Sequence, residues 1–324
     1  MDLWQQALAA DGTPDGLPQA VTTGIGIRSA MLTADGAKLA YSRGNRVANV
    51  WRVPILPDRE ATWNEAEQLT FDQAYIESVD LAPDGERLFV SSDRMGNQDL
   101  WELPLGGGAM RQLTAEPTPD WHPFVSPNGE EIVFYSYRSG NRDLWVVPIT
   151  GGPAQQLTRH EGVDQMPQWS PDGKEIAFHS DRSGNRDVWV ISRAGGEPRQ
   201  LTTHPAPDWA PRWSPDGQWI VFASLRSGSR GAWRIRSAGG TAEPIAQLGN
   251  NPFFVWSPDG ESMYLIRDGG LWEVSVDATS ERRLVDLQRT RVYLHDSDGH
   301  YVYFTVPDNQ GDIWVMDVVT DESE

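Results

Sequence analysis

The sequence is dominated by a 44-residue segment that recurs in the middle of the chain without insertions or deletions. Three copies begin at Ser126, Ser170 and Ser214, and they read SPNGEEIVFYSYRSGNRDLW, SPDGKEIAFHSDRSGNRDVW and SPDGQWIVFASLRSGSRGAW. Each copy joins an Asn-Gly or Asp-Gly turn to an apolar, β-rich run, which is typical of antiparallel hairpins. A repeat of this kind restricts the chain to architectures in which successive copies bury each other's faces.

Weaker copies extend the repeat in both directions. The turn recurs at Asp35, Asp84, Asn128, Asp172, Asp216, Asp259 and Asp298. A tryptophan follows each turn in step, at Trp51, Trp101, Trp145, Trp189, Trp233, Trp272 and Trp314. Each repeat divides into four short strands, a to d, which is the pattern of a propeller blade. We therefore predict an all-β fold, a closed seven-bladed β-propeller with four strands per blade.

The two ends of the chain suggest how this ring closes. The last repeat supplies three strands and lacks a fourth, whereas the segment LPQAVT from Leu17 resembles the fourth strand of the other repeats. We expect this N-terminal strand to complete the last blade, so that residues 17–324 form the propeller. Residues 1–16 are then an N-terminal extension or the remnant of an upstream repeat, since Asp2-Leu3-Trp4 resembles a third strand.

Composition excludes several classes of protein. The chain has 46 acidic and 27 basic residues and a net charge of −19, which disfavours nucleic-acid or anionic-membrane binding. It contains no apolar run of the ~18 residues that a membrane span needs, and its start lacks the features of a signal peptide. We expect a soluble, monomeric protein, periplasmic or cytoplasmic. The absence of Cys excludes disulfides, thiolate nucleophiles and Cys-ligated metals.

The pattern SPDGKEIAFHSDRSGNRDVWVI, followed by GGEPRQLT, resembles the WD-like repeat of the TolB-type β-propeller family. The resemblance covers residues 17–318 and is strongest over 76–240. TolB itself has six such blades and a separate α/β domain, for which this chain has no room. The repeat also resembles propellers attached to bacterial transcription regulators, receptor-like kinases and prolyl oligopeptidase-type peptidases. The resemblance implies a domain that binds, gates or senses, with any chemistry placed elsewhere.

Motifs for catalysis are missing from the sequence. There is no G-x-S-x-G elbow, no Walker loop and no H-E-x-x-H. The six histidines show no ligand spacing, and we expect them at the surface or between blades. We therefore predict no catalytic residue, although the enzyme question stays open.

The junction between strand d and the next strand a is the candidate ligand site, because it opens on one mouth of the channel. Three consecutive repeats place an acid there, at Asp120, Asp164 and Asp208. These carboxylates are candidate ligands for a divalent cation if they converge, and otherwise they cap strand amides. The position after each acid varies between repeats in a way that the fold does not require. It supplies the candidate ligand-binding residues Arg28, Glu77, Trp121, Gln165, Trp209 and Arg291, and His122 is a further candidate.

A second pattern of acids lies in the loop between strands b and c. Asp181-x-x-Gly184-Asn185-x-Asp187 places oxygen ligands at intervals that suit Ca²⁺, but no bidentate Glu follows. We favour a structural role in which these side chains hold the turn, and we predict no firm cofactor.

Three hypotheses for function remain. The first is a non-catalytic binding or scaffolding propeller that engages a protein, peptide or glycan at one channel mouth. The second is a propeller enzyme, a metal-assisted lyase or hydrolase with Asp120, Asp164, Asp208 and His122 at its site. The third is a sensing or gating domain of a larger regulator, kinase or peptidase.

Overall fold

The structure is a computed structural model that describes residues 4–8, 13–20, 27–34, 38–249, 253–288 and 292–317. The chain divides into two compact units. The larger unit is Ala48–Pro307, and the smaller unit combines Met1–Val47 with Asp308–Glu324.

The larger unit is an all-β propeller, and five of its blades are formed by consecutive four-stranded antiparallel sheets. Each blade follows the order a-b-c-d predicted from the repeat. The a strands are Ile76–Leu81, Asp120–Val125, Asp164–Trp169, Asp208–Trp213 and Phe254–Trp256. The b strands are Arg87–Ser92, Glu131–Ser136, Glu175–Ser180, Trp219–Ser224 and Ser262–Arg267. The c strands are Asp99–Pro104, Asp143–Pro148, Asp187–Ser192, Gly231–Arg236 and Gly270–Ser275. The d strands are Arg111–Gln112, Gln155–Gln156, Arg199–Gln200, Glu243–Gln247 and Glu281–Asp286.

The sixth blade combines strands from both ends of the sequence. Tyr293–Ser297 is its strand a and the beginning of Tyr301–Asp317 is strand b, while the end of Lys38–Pro54 is strand c and Glu67–Gln68 is strand d. Trp51 lies opposite Gln68, as Trp101 lies opposite Gln112 in the first blade. The ring thus closes through hydrogen bonds between the N-terminal and C-terminal parts of the unit.

The prediction of seven blades is wrong, because the described residues form six. Two strands of 17 residues, Lys38–Pro54 and Tyr301–Asp317, continue past the point where the other repeats turn between strands b and c. Strand b of the last repeat therefore pairs with the strand of Trp51 from the first repeat. One turn, at Asp35, and one tryptophan strand, at Trp314, belong to the smaller unit and build no further blade; Asp35 itself lies outside the described residues.

Among the described residues of the smaller unit, two pairs of strands follow the blade pattern. Trp4–Leu8 pairs with Pro14–Ala20, and Trp4 lies opposite Ala20 in the register of strands c and d. The expectation that the strand at Leu17 completes the last blade is therefore wrong. Ile27–Leu32 pairs with the beginning of Lys38–Pro54 as strands a and b would. The proposed division of the chain at residues 16 and 17 stays a prediction.

The hydrophobic core consists of clusters that each span two neighbouring blades. Phe178 of the third blade packs with Val133 and Leu144 of the second, while Phe222 and Trp213 of the fourth pack with Val188 of the third. Burying apolar surface stabilises the folded state by about 25 cal/mol per Å², so each of these contacts between blades stabilises the ring.

The loop between strands b and c uses its polar side chains to hold its own turn. Ser183 Oγ donates to Asp187 Oδ2 at 2.6 Å, and Asn185 Nδ2 donates to the His204 carbonyl at 2.9 Å. Asp181 Oδ1 accepts the Val163 amide at 2.7 Å. These hydrogen bonds support the structural role over a calcium site.

Helix is nearly absent from the described residues, which include one short 3-10 turn, Trp63–Glu65. No helix in the part of the chain that the structure describes has the length and apolar character needed to cross a bilayer.

Candidate functional site: the central channel

The six a strands line the central channel, and five of the six neighbouring pairs of a strands contact each other around the ring. Each a strand starts at the side where strand d crosses to the next blade, and it ends at the turn that leads to strand b. The channel therefore has a crossover side and a turn side. The residues predicted from the sequence lie at the crossover side.

The three acids at the crossover side are held inside their own blades. Asp120, Asp164 and Asp208 are completely buried, and each binds an arginine 18 residues later in the sequence. Their ion pairs, with N–O distances of 2.5, 2.6 and 2.5 Å, are to Arg138, Arg182 and Arg226 respectively. Their backbone amides bind the preceding blade, as the Asp164 amide does with the Arg142 carbonyl at 2.8 Å.

These ion pairs argue against a metal site at the three aspartates. A cation at Asp120, Asp164 or Asp208 would have to displace a guanidinium that already neutralises the carboxylate. No group of three His, Asp or Glu side chains among the described residues is arranged to hold a metal ion. The geometry gives the metal hypothesis no support, and it stays a prediction from the sequence.

Trp121, by contrast, belongs to a cluster that the fold builds at the crossover side, together with Tyr135, Tyr137 and Arg142. We call these four residues the aromatic mouth. The Trp121 ring stacks on Tyr135 at 5.5 Å and meets the edge of Tyr137 at 5.6 Å. The Arg142 guanidinium lies 5.0 Å from the Tyr137 ring centroid and 5.6 Å from that of Trp121. Tyr137 is 38% exposed, so the cluster reaches solvent.

Two more predicted site residues contact the aromatic mouth through Tyr135. Gln165 and Glu77 both lie close enough to the Tyr135 hydroxyl to influence its pKa. Burial, followed by the charge of Glu77, raises the pKa of Tyr135, so the phenol stays neutral. The structure thus brings together Glu77, Trp121 and Gln165 from three neighbouring blades.

His122 lies deeper in the same part of the channel. Its backbone has a positive φ of 50°, and Met166 and Ala210 occupy the same conformation in the next two blades, each at a bulge in strand a. The His122 ring stacks on Tyr135 at 5.5 Å. Burial, and then the charges of Arg212 and Arg142, lower the pKa of His122 to about 3, so the imidazole is neutral at physiological pH.

The remaining predicted residues lie apart from this cluster or beyond the description. Trp209 is half-buried and has the Arg230 guanidinium 5.9 Å from its ring centroid, which repeats the Trp121–Arg142 contact in another blade. The side chain of Arg28 and the whole of Arg291 lie outside the described residues.

The turn side of the channel contains a cavity of about 250 Å³ that sequence reasoning missed. Its charged residues are Asp80, Arg212 and Asp296, which occupy one equivalent position near the end of strand a. The other blades have Phe124, Gln168 and Val255 at this position. The signal was present in the sequence, because this position varies as much between repeats as the position of Trp121 does.

Two carboxylates of the cavity also connect neighbouring blades. Asp80 Oδ2 accepts the Val125 amide at 2.7 Å, and Asp296 Oδ2 accepts the Leu81 amide at 2.9 Å. Burial and the nearby Asp296 carboxylate raise the pKa of Asp80 well above its usual range, while Arg212 opposes the rise. Among the described residues, Arg212 is the one cation whose charge lowers the pKa of both carboxyl groups.

Comparisons with known proteins agree with this fold. A sequence model of the Tricorn protease N-terminal beta propeller domain matches residues 141–268, which is less than half of the chain. A search of curated proteins gives no match.

Three solved structures show the same architecture. The putative TolB from Agrobacterium tumefaciens is 20% identical with a TM-score of 0.68, and the match covers 82% of this chain and 100% of that one. A chain of the Nidogen/Laminin complex is 11% identical with a TM-score of 0.63, covering 78% and 96%. An oligogalacturonate lyase in complex with manganese is 15% identical with a TM-score of 0.56, covering 87% and 96%.

These three matches are informative about fold alone, because none of the three is more than 20% identical to this chain. They support the β-propeller fold that the repeats predict. The chain is a β-propeller whose fold is similar to that of the putative TolB structure.

Proposed function

We propose that this chain is a non-catalytic binding or scaffolding propeller that engages a protein or peptide at the aromatic mouth. The observation that carries the proposal is the contact of Trp121, Tyr137 and Arg142 where the channel meets solvent. The repeat itself does not require Trp121 or Tyr137, since their equivalents are Glu77 and Asp93 in one blade and Gln165 and Asp181 in another, whereas Arg142 recurs as Arg186 and Arg230.

The chemistry of the cluster suits a protein partner. Trp, Tyr and Arg are the residue types most enriched among those that dominate binding energy at protein interfaces. Here their rings are already stacked on one another, so little side-chain entropy is lost when a partner binds. The Nidogen/Laminin complex supports the same idea, because it is a complex of two proteins in which one chain has a similar fold.

A glycan fits the aromatic mouth less well. Sugars bind proteins by laying a ring on an open aromatic face, whereas one face of Trp121 is covered by Tyr135 at 5.5 Å. A peptide side chain can instead pack against the exposed part of Tyr137, beside the Arg142 guanidinium that lies 5.0 Å from the Tyr137 ring centroid.

Two alternatives remain open beside this proposal. The fold is similar to that of an oligogalacturonate lyase in complex with manganese, so an enzymatic role is compatible with the architecture, although no three-residue ligand cluster exists in the described part of the chain. The matching Tricorn domain is a propeller of a protease, and a sensing or gating domain would use the same binding mouth.

Selection of peptides tests the proposal. A random peptide library is panned on the native protein, and the enriched peptides are titrated by fluorescence anisotropy against native protein, Trp121→Ala and Trp219→Ala. Trp219 is a matched control, because it also carries a guanidinium over its ring, that of Arg236 at 3.8 Å, but lies at the start of strand b on the turn side. We expect Trp121→Ala to weaken binding by roughly 30-fold or more and Trp219→Ala to leave it unchanged.

Two results would contradict the proposal. Enriched peptides that bind Trp121→Ala as tightly as the native protein would place the binding surface elsewhere. A failure to enrich any peptide, combined with oligosaccharide binding that Trp121→Ala abolishes, would assign the mouth to a glycan.

A further inference from the structure

We propose that the turn-side cavity is a second binding site, which accepts a small zwitterion of the α-amino-acid type. In this arrangement Arg212 binds the carboxylate of the ligand and Asp80 and Asp296 bind its ammonium group. The site lies at the opposite end of the a strands from the aromatic mouth, and it does not depend on the function proposed for that mouth.

Arg212 is the first reason for this assignment. Its guanidinium lies 4.5 Å from the centroid of the Phe124 ring, which fixes its position. It forms no hydrogen bond or ion pair within 4.0 Å with any residue that the structure describes, although Asp80 and Asp296 act on it electrostatically. A guanidinium has five N–H donors in a planar fork that matches a carboxylate. Arg212 therefore presents these donors to the cavity that it lines.

The two acids provide the complementary half of the site. Asp80 and Asp296 each use Oδ2 to accept an amide from the next blade, and these contacts hold both carboxyl groups in place. Asp80 Oδ1 has no hydrogen bond to any described residue, so it is available to an ammonium N–H.

Charge balance selects a zwitterion over a simple ion. Because the pKa of Asp80 is raised well above its usual range, the two acids together present a single carboxylate charge to Arg212. An added anion would approach Arg212 but also face that carboxylate, and an added cation would meet the carboxylate but also face Arg212. Each of these partial matches leaves like charges close together in a partly desolvated cavity, which costs binding energy. A ligand with a carboxylate and an ammonium group on one carbon presents each charge to its opposite.

The walls and the size of the cavity suit the rest of such a molecule. Trp169, Trp213 and Trp256 line it, together with prolines from the turns of neighbouring blades. Its volume of about 250 Å³ lies just below the range of roughly 300–1,000 Å³ that is typical of drug-sized ligands. An amino acid with an apolar or aromatic side chain therefore matches its dimensions and lining.

The first experiment uses the native chain and changes only the ligand. Isothermal titration calorimetry is carried out with L-phenylalanine, L-leucine, L-glutamate and L-lysine, and then with the amide and the N-acetyl derivative of the tightest of them. We expect saturable binding of the apolar amino acids, and a loss of at least roughly ten-fold in affinity for each derivative, because each lacks one of the two charges. Saturable binding by none of the four amino acids, or equal binding of the N-acetyl derivative, would overturn the proposal.

The second experiment places the site on the protein. Arg212→Met keeps the aliphatic stem and removes the charge, and Asp80→Asn keeps an oxygen that can accept the Val125 amide. Arg236→Met is the control, since Arg236 also lies over an aromatic ring, that of Trp219, but outside the cavity. Circular dichroism melting first establishes that each variant folds. We expect both cavity variants to weaken binding by roughly ten- to a hundred-fold and the control to bind normally. Native affinity in folded Arg212→Met would overturn the assignment.

Discussion

Replacement of Arg182 by alanine is expected to lower the free energy of unfolding by about 3–5 kcal/mol at pH 8. The reason is that Asp164 is completely buried and its carboxylate would lose the guanidinium that lies 2.6 Å away. Ser180 and the other hydrogen-bond donors around Asp164 cannot supply the missing charge. Urea denaturation of native and variant protein measures the loss.

The same variant has a defined dependence on pH. Burial already raises the pKa of Asp164, and Arg182 is among the groups that oppose this rise, so its removal raises the pKa further. A carboxyl group with a raised pKa in the folded state favours folding when protonated, and this contribution is lost as pH rises through that pKa. The deficit of Arg182→Ala should therefore be smaller near pH 5 than at pH 8.

Lys174→Ala is the matched control for this experiment. Lys174 also pairs with an aspartate, Asp172 at 3.1 Å, but both side chains are mostly exposed. We expect a change within about 0.5 kcal/mol at either pH. Similar losses for both variants would show that burial of the Asp164 pair does not matter.

The second large effect is expected from Phe222→Ala, which should cost about 3–5 kcal/mol. Phe222 is fully buried in the cluster that joins the third and fourth blades. Phe71→Ala is the same chemical change at a side chain that is 78% exposed, and it should change stability by no more than about 0.5 kcal/mol. Thermal melting followed by tryptophan fluorescence compares the two. A loss of only about 1 kcal/mol in Phe222→Ala would contradict the interblade core.

The sequence predicted the blade but not the number of blades. Turn residues such as Asp172-Gly173 and the alternating apolar runs determine local pairing, and the strands around them lie where the repeat placed them. Ring closure is different, because strand b of the last repeat has two partners of similar pattern, the strand of Trp314 and the strand of Trp51. Local sequence does not distinguish them. The choice depends on the pairing of two strands from opposite ends of the chain.

The sequence predicted only part of the candidate site, because it shows which positions vary but not which residues meet in the folded ring. The variable position after Asp120 pointed to Trp121, Gln165 and Glu77, and the structure brings these residues around Tyr135. Asp120 itself looked like a cation ligand, since the sequence does not show that Arg138 folds back onto it from the next hairpin. Asp80, Arg212 and Asp296 were missed because they come from distant repeats and meet only when the ring closes.

Ring closure is also the claim on which the turn-side cavity depends, and a disulfide tests it directly. The Ile55 amide donates to the His300 carbonyl at 2.8 Å, as the Leu105 amide donates to the Glu86 carbonyl in the first blade. This shared register places Arg52 opposite Tyr303, and the two side chains lie close enough to influence each other's pKa.

The natural chain has no Cys, so Arg52→Cys with Tyr303→Cys introduces the two thiols alone. The equivalent pair in the first blade, Phe89→Cys with Glu102→Cys, is the positive control, since these residues lie opposite each other. After mild oxidation and digestion, mass spectrometry should find the peptides of residues 52 and 303 joined by one intramolecular disulfide. Free thiols at both positions, under conditions that oxidise the control pair, would contradict the six-bladed ring.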